Sequence, residues 1–80
     1  MHIKVLGPGC ANCVRLEERT RAALAELGRD ADVEKVTDYE EMLRYGVMQT
    51  PALVIDGEVV LSGKVPTARK LRTLLAGVRA

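Results

Sequence analysis

The stretch IKVLGPGCANC, Ile3–Cys13, decides the fold. His2–Leu6 is short, partly β-branched and stops at Gly7-Pro8-Gly9, so it reads as a strand ending in a tight loop. At Cys10 the period changes. Cys13, Leu16, Thr20, Ala23 or Leu24, and Leu27 recur at three- and four-residue steps, which marks one buried helical face from Cys10 to Leu27. The other face carries Arg15, Glu17, Glu18, Arg19, Arg21 and Glu26, with Glu17 and Arg21 at the favourable spacing for an ion pair. Gly28 stands where a left-handed C-terminal cap is wanted.

Working outward, Asp32–Val36 alternates and reads as a second strand. Thr37 or Asp38 then caps a short helix through about Tyr45, with Glu40 and Glu41 near its positive end and Gly46 after it. Pro51–Ile55 and Glu58–Leu61 flank Asp56-Gly57, a strong hairpin signal. Gly63 breaks the second arm. Pro66 fits the first turn of a last helix, whose apolar stripe is Leu71, Leu74, Leu75 and Val78. The order βαβαββα predicts an α/β fold: a four-stranded mixed sheet with helices on both faces, a parallel pair among the first three strands and an antiparallel last pair. Residues 1–80 are read as a single domain. Leu, Val, Ile and Phe make up 22 of the 80 residues, enough for one modest core and above the ~20% below which disorder is expected.

Composition removes several classes of function. Twelve basic against eleven acidic side chains leave a net charge of +1, so no polyanion-binding arm is expected. Two tyrosines are the only aromatic residues and give no stacking platform for single-stranded nucleic acid. The longest apolar runs, Ala22–Ala25 and Ala52–Ile55, have four residues, far short of the ~20 of a membrane span or the ~7–15 of a signal-peptide core. The chain is therefore expected to be a soluble, cytoplasmic monomer. Its charge is unevenly spread. Glu26–Glu41 holds seven acids against two bases, while Val59–Ala80 holds five bases and no acid. Such polarity usually marks solvated faces; steering of a charged partner is the alternative.

Two cysteines cannot build the multi-bridge framework of a small secreted domain, and their CxxC spacing points to redox or metal chemistry. A cycling dithiol needs one exposed thiolate and a second thiol near enough to close a ring. Cys10 at the helix start meets unsatisfied N–H groups and the positive end of the dipole, which favour its thiolate. Cys13, one turn in on the buried face, is the resolving thiol. The bland alternative is two reduced core cysteines. A structural zinc site wants four ligands, and the chain offers two cysteines and His2, which lies about 15 Å away by strand rise. Cys10 and Cys13 alone leave a second function open, a thiolate carrier for a soft metal or metalloid ion. No cofactor is expected. Gly7-Pro8-Gly9 lacks both phosphate-loop patterns and serves to turn the chain. Met48 is either an apolar rim around Cys10 or packing. Thr50-Pro51 opens a strand where a missing N–H must do no harm, and an ordinary trans edge proline is the plain reading there.

IKVLGPGCANC, together with YGVMQTPALVIDGEVVLSGKVP, resembles the small thioredoxin-like redox-active disulfide proteins over nearly the whole chain. The resemblance implies a thioredoxin-like fold without the extra N-terminal strand and helix of full thioredoxins. It implies a cis Thr50-Pro51 bond beside Cys10 and Cys13, and thiol–disulfide exchange with a disulfide-containing protein, served by an upstream reductase. Cys10 and Cys13 are then catalytic, and Thr50, Pro51, Gly9, Ala11 and Asn12 bind the partner. The chain departs from the usual thioredoxin pattern in having Gly9 before the first cysteine and Ala11-Asn12 between the pair. Where thioredoxins carry a buried acid, six residues before the first cysteine, it has Lys4. That lysine either favours thiolates nearby or reaches solvent. No tyrosine supports a glutathione site of the glutaredoxin kind.

Overall fold

The computed structural model describes residues 1–77. The apolar alternation produces seven elements: β1 (His2–Leu6), α1 (Ala11–Leu27), β2 (Asp32–Val36), α2 (Tyr39–Arg44), β3 (Ala52–Ile55), β4 (Glu58–Ser62) and α3 (Ala68–Ala76). The sheet order is β2-β1-β3-β4. β1 runs parallel to β2 and antiparallel to β3, and β3 is antiparallel to β4. The two inner strands are accordingly the most apolar. All four residues of β3 are buried, whereas the outer strands β2 and β4 keep charged and polar side chains in solvent.

Side chains alternate across the sheet and build two cores. Ile3, Val5, Leu53 and Ile55 pack with Leu16, Ala23 and Leu24 of α1 and with Leu71 and Leu75 of α3. Leu6, Ala52 and Val54 point the other way and meet Val36, Val47 and Met42 of α2. The sheet is thus covered on both faces, by α1 and α3 on one and α2 on the other. Among the described residues no helix is long and apolar enough to cross a membrane.

Local chemistry sets the element ends. Gly28 is left-handed at φ 66°, and the Arg29 N–H turns back to the Leu24 carbonyl at 3.0 Å. The Asp38 side chain accepts from the Glu40 N–H and caps α2, with Glu40 and Glu41 in its first turn. Asp56 and Gly57 both have positive φ, 50° and 85°, as a two-residue hairpin turn requires.

Four details differ from the sequence reading. Pro51 cannot donate to the ladder, so β3 begins at Ala52. β4 runs on to Ser62, which pairs with Ala52. Pro66 lies outside α3 rather than in its first turn. The cap is Thr67, whose hydroxyl accepts the Lys70 N–H at 3.2 Å, a bond that proline cannot make. A β-bulge also enters the hairpin, for Val54 faces Val59 while Leu53 faces Leu61, leaving Val60 as the extra residue. Of the expected stripe on α3, Leu71 and Leu75 are buried and Leu74 half-buried, and Val78 lies outside the described residues. Three arginine contacts tie α3 and the residues before it to the rest of the chain. Arg29 donates to the Leu75 carbonyl and Arg19 to the Pro66 carbonyl, each at 3.0 Å, and Arg72 pairs with Glu26 at 2.8 Å.

Candidate active site

β1 delivers the chain to the carboxyl end of the sheet, where Gly9 at φ 90° makes the turn into α1. Cys10 is the N-cap residue of α1, with extended φ −70° and ψ 169°, and its carbonyl accepts the first helical bond from Val14 at 3.0 Å. That places the Cys10 sulfur in solvent at the mouth of the first turn. Cys13 lies one turn on, 5% exposed, on the face that α1 turns to the sheet. Both are free thiols, with their sulfurs 2.7 Å apart.

The two environments push the thiols apart. Hydrogen bonding from the Cys13 side chain lowers the Cys10 pKa most, and the backbone N–H groups of Cys13 and Asn12 add to it. These N–H groups are the orphan donors of the helix start. Cys13 moves in the opposite direction, because burial disfavours its thiolate and the neighbouring Cys10 sulfur adds to this. The arrangement favours the thiolate at Cys10 and leaves the proton at Cys13.

Gly7 makes this proximity possible. It is buried, and a Cβ there would overlap the Cys13 sulfur, lie 3.3 Å from the Cys13 Cβ and 3.8 Å from the Thr50 Cβ. The Gly7 N–H is anchored on the Val36 carbonyl at 3.0 Å, so the strand cannot easily back away. The end of β1, the start of α1 and the loop before β3 therefore converge at one glycine. Sequence reasoning assigned Gly7 only to the turn, and a single sequence carries no signal for a close approach between distant segments. Gly7→Ala is expected to cost about 1–3 kcal/mol through overpacking. A urea denaturation midpoint checks this, and an unchanged midpoint would show that the two segments yield.

The Thr50–Pro51 peptide is cis. Thr50 is exposed and Pro51 buried, and the Pro51 carbonyl accepts the Gly63 N–H at 2.8 Å. Gly9, Ala11 and Asn12 are all exposed around Cys10. Met48 is 91% exposed, which removes the packing reading for it. His2 is at the opposite end of β1, exposed, with its ring nitrogen 3.2 Å from Glu34. Among the described residues no group of three or more His, Cys, Asp or Glu side chains gathers that could hold a metal ion.

Neither reading of Lys4 matches the structure. Even-numbered residues of β1 face α2, so Lys4 turns away from the sheet face on which α1 packs. Its ammonium lies 2.8 Å from Glu41 and 5.3 Å from the centroid of the Tyr45 ring, and those two groups hold it charged, above the usual lysine range. It fastens α2 to the sheet.

A four-stranded βαβαββα sheet with an exposed and a buried thiol at the start of its first helix defines a thioredoxin-fold dithiol protein. Residues 1–76 match the thioredoxin domain family, to which the chain belongs. It is 38% identical over 76 residues to a thioredoxin of Methanothermobacter thermautotrophicus, covering 95% of this chain and 99% of that protein. With a thioredoxin of Methanocaldococcus jannaschii it shares 36% identity over 70 residues, 88% of this chain and 80% of the other. The chain is a thiol–disulfide oxidoreductase.

Proposed function

We propose that Cys10 is the attacking thiolate and Cys13 the resolving thiol in the reduction of a disulfide in a partner protein. The observation that carries this reading is the asymmetry of the pair: an exposed sulfur with donors aimed at it, against a buried protonated one. The Cys10 thiolate attacks one sulfur of the partner's disulfide, the S–S bond breaks, and the other partner sulfur leaves as a thiolate that takes up a proton. Cys13 then loses its proton and attacks the Cys10 sulfur. The second partner thiol is released and the Cys10–Cys13 disulfide is left behind. Two electrons and two protons pass to the partner in all.

Thr50, Pro51, Gly9, Ala11 and Asn12 form the surface against which the partner's chain lies, with the Thr50 backbone available to an extended segment. An upstream reductase returns the dithiol state. Work as a reduced dithiol suits a monomer in the cytoplasm, where thiols are kept reduced.

Alkylation with iodoacetamide followed by mass spectrometry tests the assignment. Cys10 should react first, with a rate that rises and levels off below the ordinary thiol value of about 8.5. Its lowered pKa leaves more thiolate at neutral pH than a free cysteine has. Faster labelling of Cys13 would reverse the roles.

A further inference from the structure

Between β4 and α3 lies a groove of about 340 Å³ lined by Val60, Leu61, Val65, Pro66 and Leu74 together with Lys64 and Lys70. Consecutive strand residues normally point to opposite faces. Val60 and Leu61 both line this groove, and the extra residue of the bulge allows it. β4 is also an edge strand, so its outer N–H and C=O groups have no strand partner in the sheet. The groove begins at the reactive end of the sheet: Ser62 pairs with Ala52, and the Gly63 N–H is bonded to the Pro51 carbonyl.

Three unpaired cations gather here, whereas among the other described lysines and arginines only Arg15 and Arg44 lack a hydrogen bond or ion pair. Lys4, Arg21, Lys35 and Arg72 are in ion pairs, and Arg19 and Arg29 are bonded to carbonyls. The side chains of Lys64, Arg69 and Lys70 are exposed and have no hydrogen bond or ion pair among the described residues. No acid occurs from Val59 to Ala80 to neutralise them. Unpaired cations around an apolar groove complement an occupant that is acidic and partly apolar.

We infer that this groove receives an extended segment of the disulfide-bearing partner protein, adjacent to its cystine, that alternates acidic with aliphatic residues. The inference rests on the reading of Cys10 as the attacking thiolate. The segment's carboxylates meet Lys64 and Lys70, its aliphatic side chains enter between β4 and α3, and its cystine comes to Cys10 past Pro51. The partner is thereby chosen by charge as well as by its disulfide.

Two disulfide peptides, identical at the cystine, provide the test: one carries an Asp-Leu-Glu-Val tail and the other Lys-Leu-Lys-Val. Oxidation of the reduced protein is followed in single turnover, with 2-hydroxyethyl disulfide as an uncharged reference. The acidic tail should react about tenfold faster at low salt, with an advantage that shrinks as salt rises. Lys64→Glu with Lys70→Glu should invert the preference. The same charge change on the far side, Lys35→Glu with Arg44→Glu, should leave the acidic tail preferred. Equal rates for the two tails on the unaltered protein overturn the inference, and that comparison stands even if a variant fails to fold. Failure to reduce 2-hydroxyethyl disulfide overturns the thiolate reading and the inference with it. A dimer in sedimentation that the Lys64→Glu, Lys70→Glu protein no longer forms would put a second copy in the groove instead, and equally overturns the inference.

Discussion

Cys10→Ser should reduce the rate of disulfide exchange by about a thousandfold or more, because a serine hydroxyl without a base does not attack sulfur and the remaining thiol is poorly placed to substitute. Cys13 is 5% exposed, and its burial holds it protonated. Cys13→Ser should behave differently. The first attack by Cys10 goes ahead, one partner thiol is released, and the mixed disulfide then persists, since the intramolecular attack that would resolve it has lost its nucleophile. Non-reducing gels and intact mass should show a covalent adduct for Cys13→Ser and none for Cys10→Ser. Adducts of equal yield in the two variants would show that the thiols are interchangeable and that the asymmetry of the site has no kinetic consequence.

Leu71→Ala should destabilise the fold by about 2–5 kcal/mol, the range for removing a buried leucine side chain without collapse of the cavity. Leu71 is fully buried and joins α3 to the cluster formed by Leu16, Ala23 and Leu24 of α1 with Ile3, Val5, Leu53 and Ile55 of the sheet. A domain of this size has a stability of only about 5 kcal/mol or somewhat more. The Tm measured by circular dichroism should therefore fall by more than about 10 °C. A drop of only a few degrees would mean that α3 contributes little to the core and is held chiefly by Arg29, Arg19 and Arg72.

Much of this was legible in the residues because it is governed by local rules. β1 and β2 have the limits that their patterns predict, His2–Leu6 and Asp32–Val36, and Gly28, Asp38 and Asp56-Gly57 act as their cap and turn chemistry requires. The dithiol was legible too, because CxxC at a helix start dictates its own geometry. What escaped notice depends on residues distant in sequence. Gly7 is small on account of Cys13 and Thr50, which two other segments bring to it. Lys4 finds Glu41 only after the parity of β1 and the docking of α2 are fixed, 37 residues further on. Val60 becomes the extra residue of a bulge through its register against Leu53 and Val54, which a hairpin signal at Asp56-Gly57 does not specify. Thr67 is the exception: a threonine three residues before Lys70 is a local capping signal, and Pro66 beside it is an equally local signal for a first helical turn.

The position of β1 has a consequence for how the chain assembles. β1 precedes both of its neighbours in the chain yet lies between them, β2 on one side and β3 on the other, and its pairing of Ile3 with Ile55 spans most of the chain. The turns of α1 and the Asp56-Gly57 hairpin need only near neighbours and are free to form early, within microseconds. β1 has no such option. It must wait for β2 to cross back over α1, and its second edge stays open until β3 arrives, so loop-closure entropy is met before the central contacts reward it. On a ribosome, the residues that lead into Cys10 emerge before β2 and β3 and are enclosed only after both. The two thiols meet early, within one turn of α1, but the cis Thr50-Pro51 loop closes the site beside them only when β3 has joined β1.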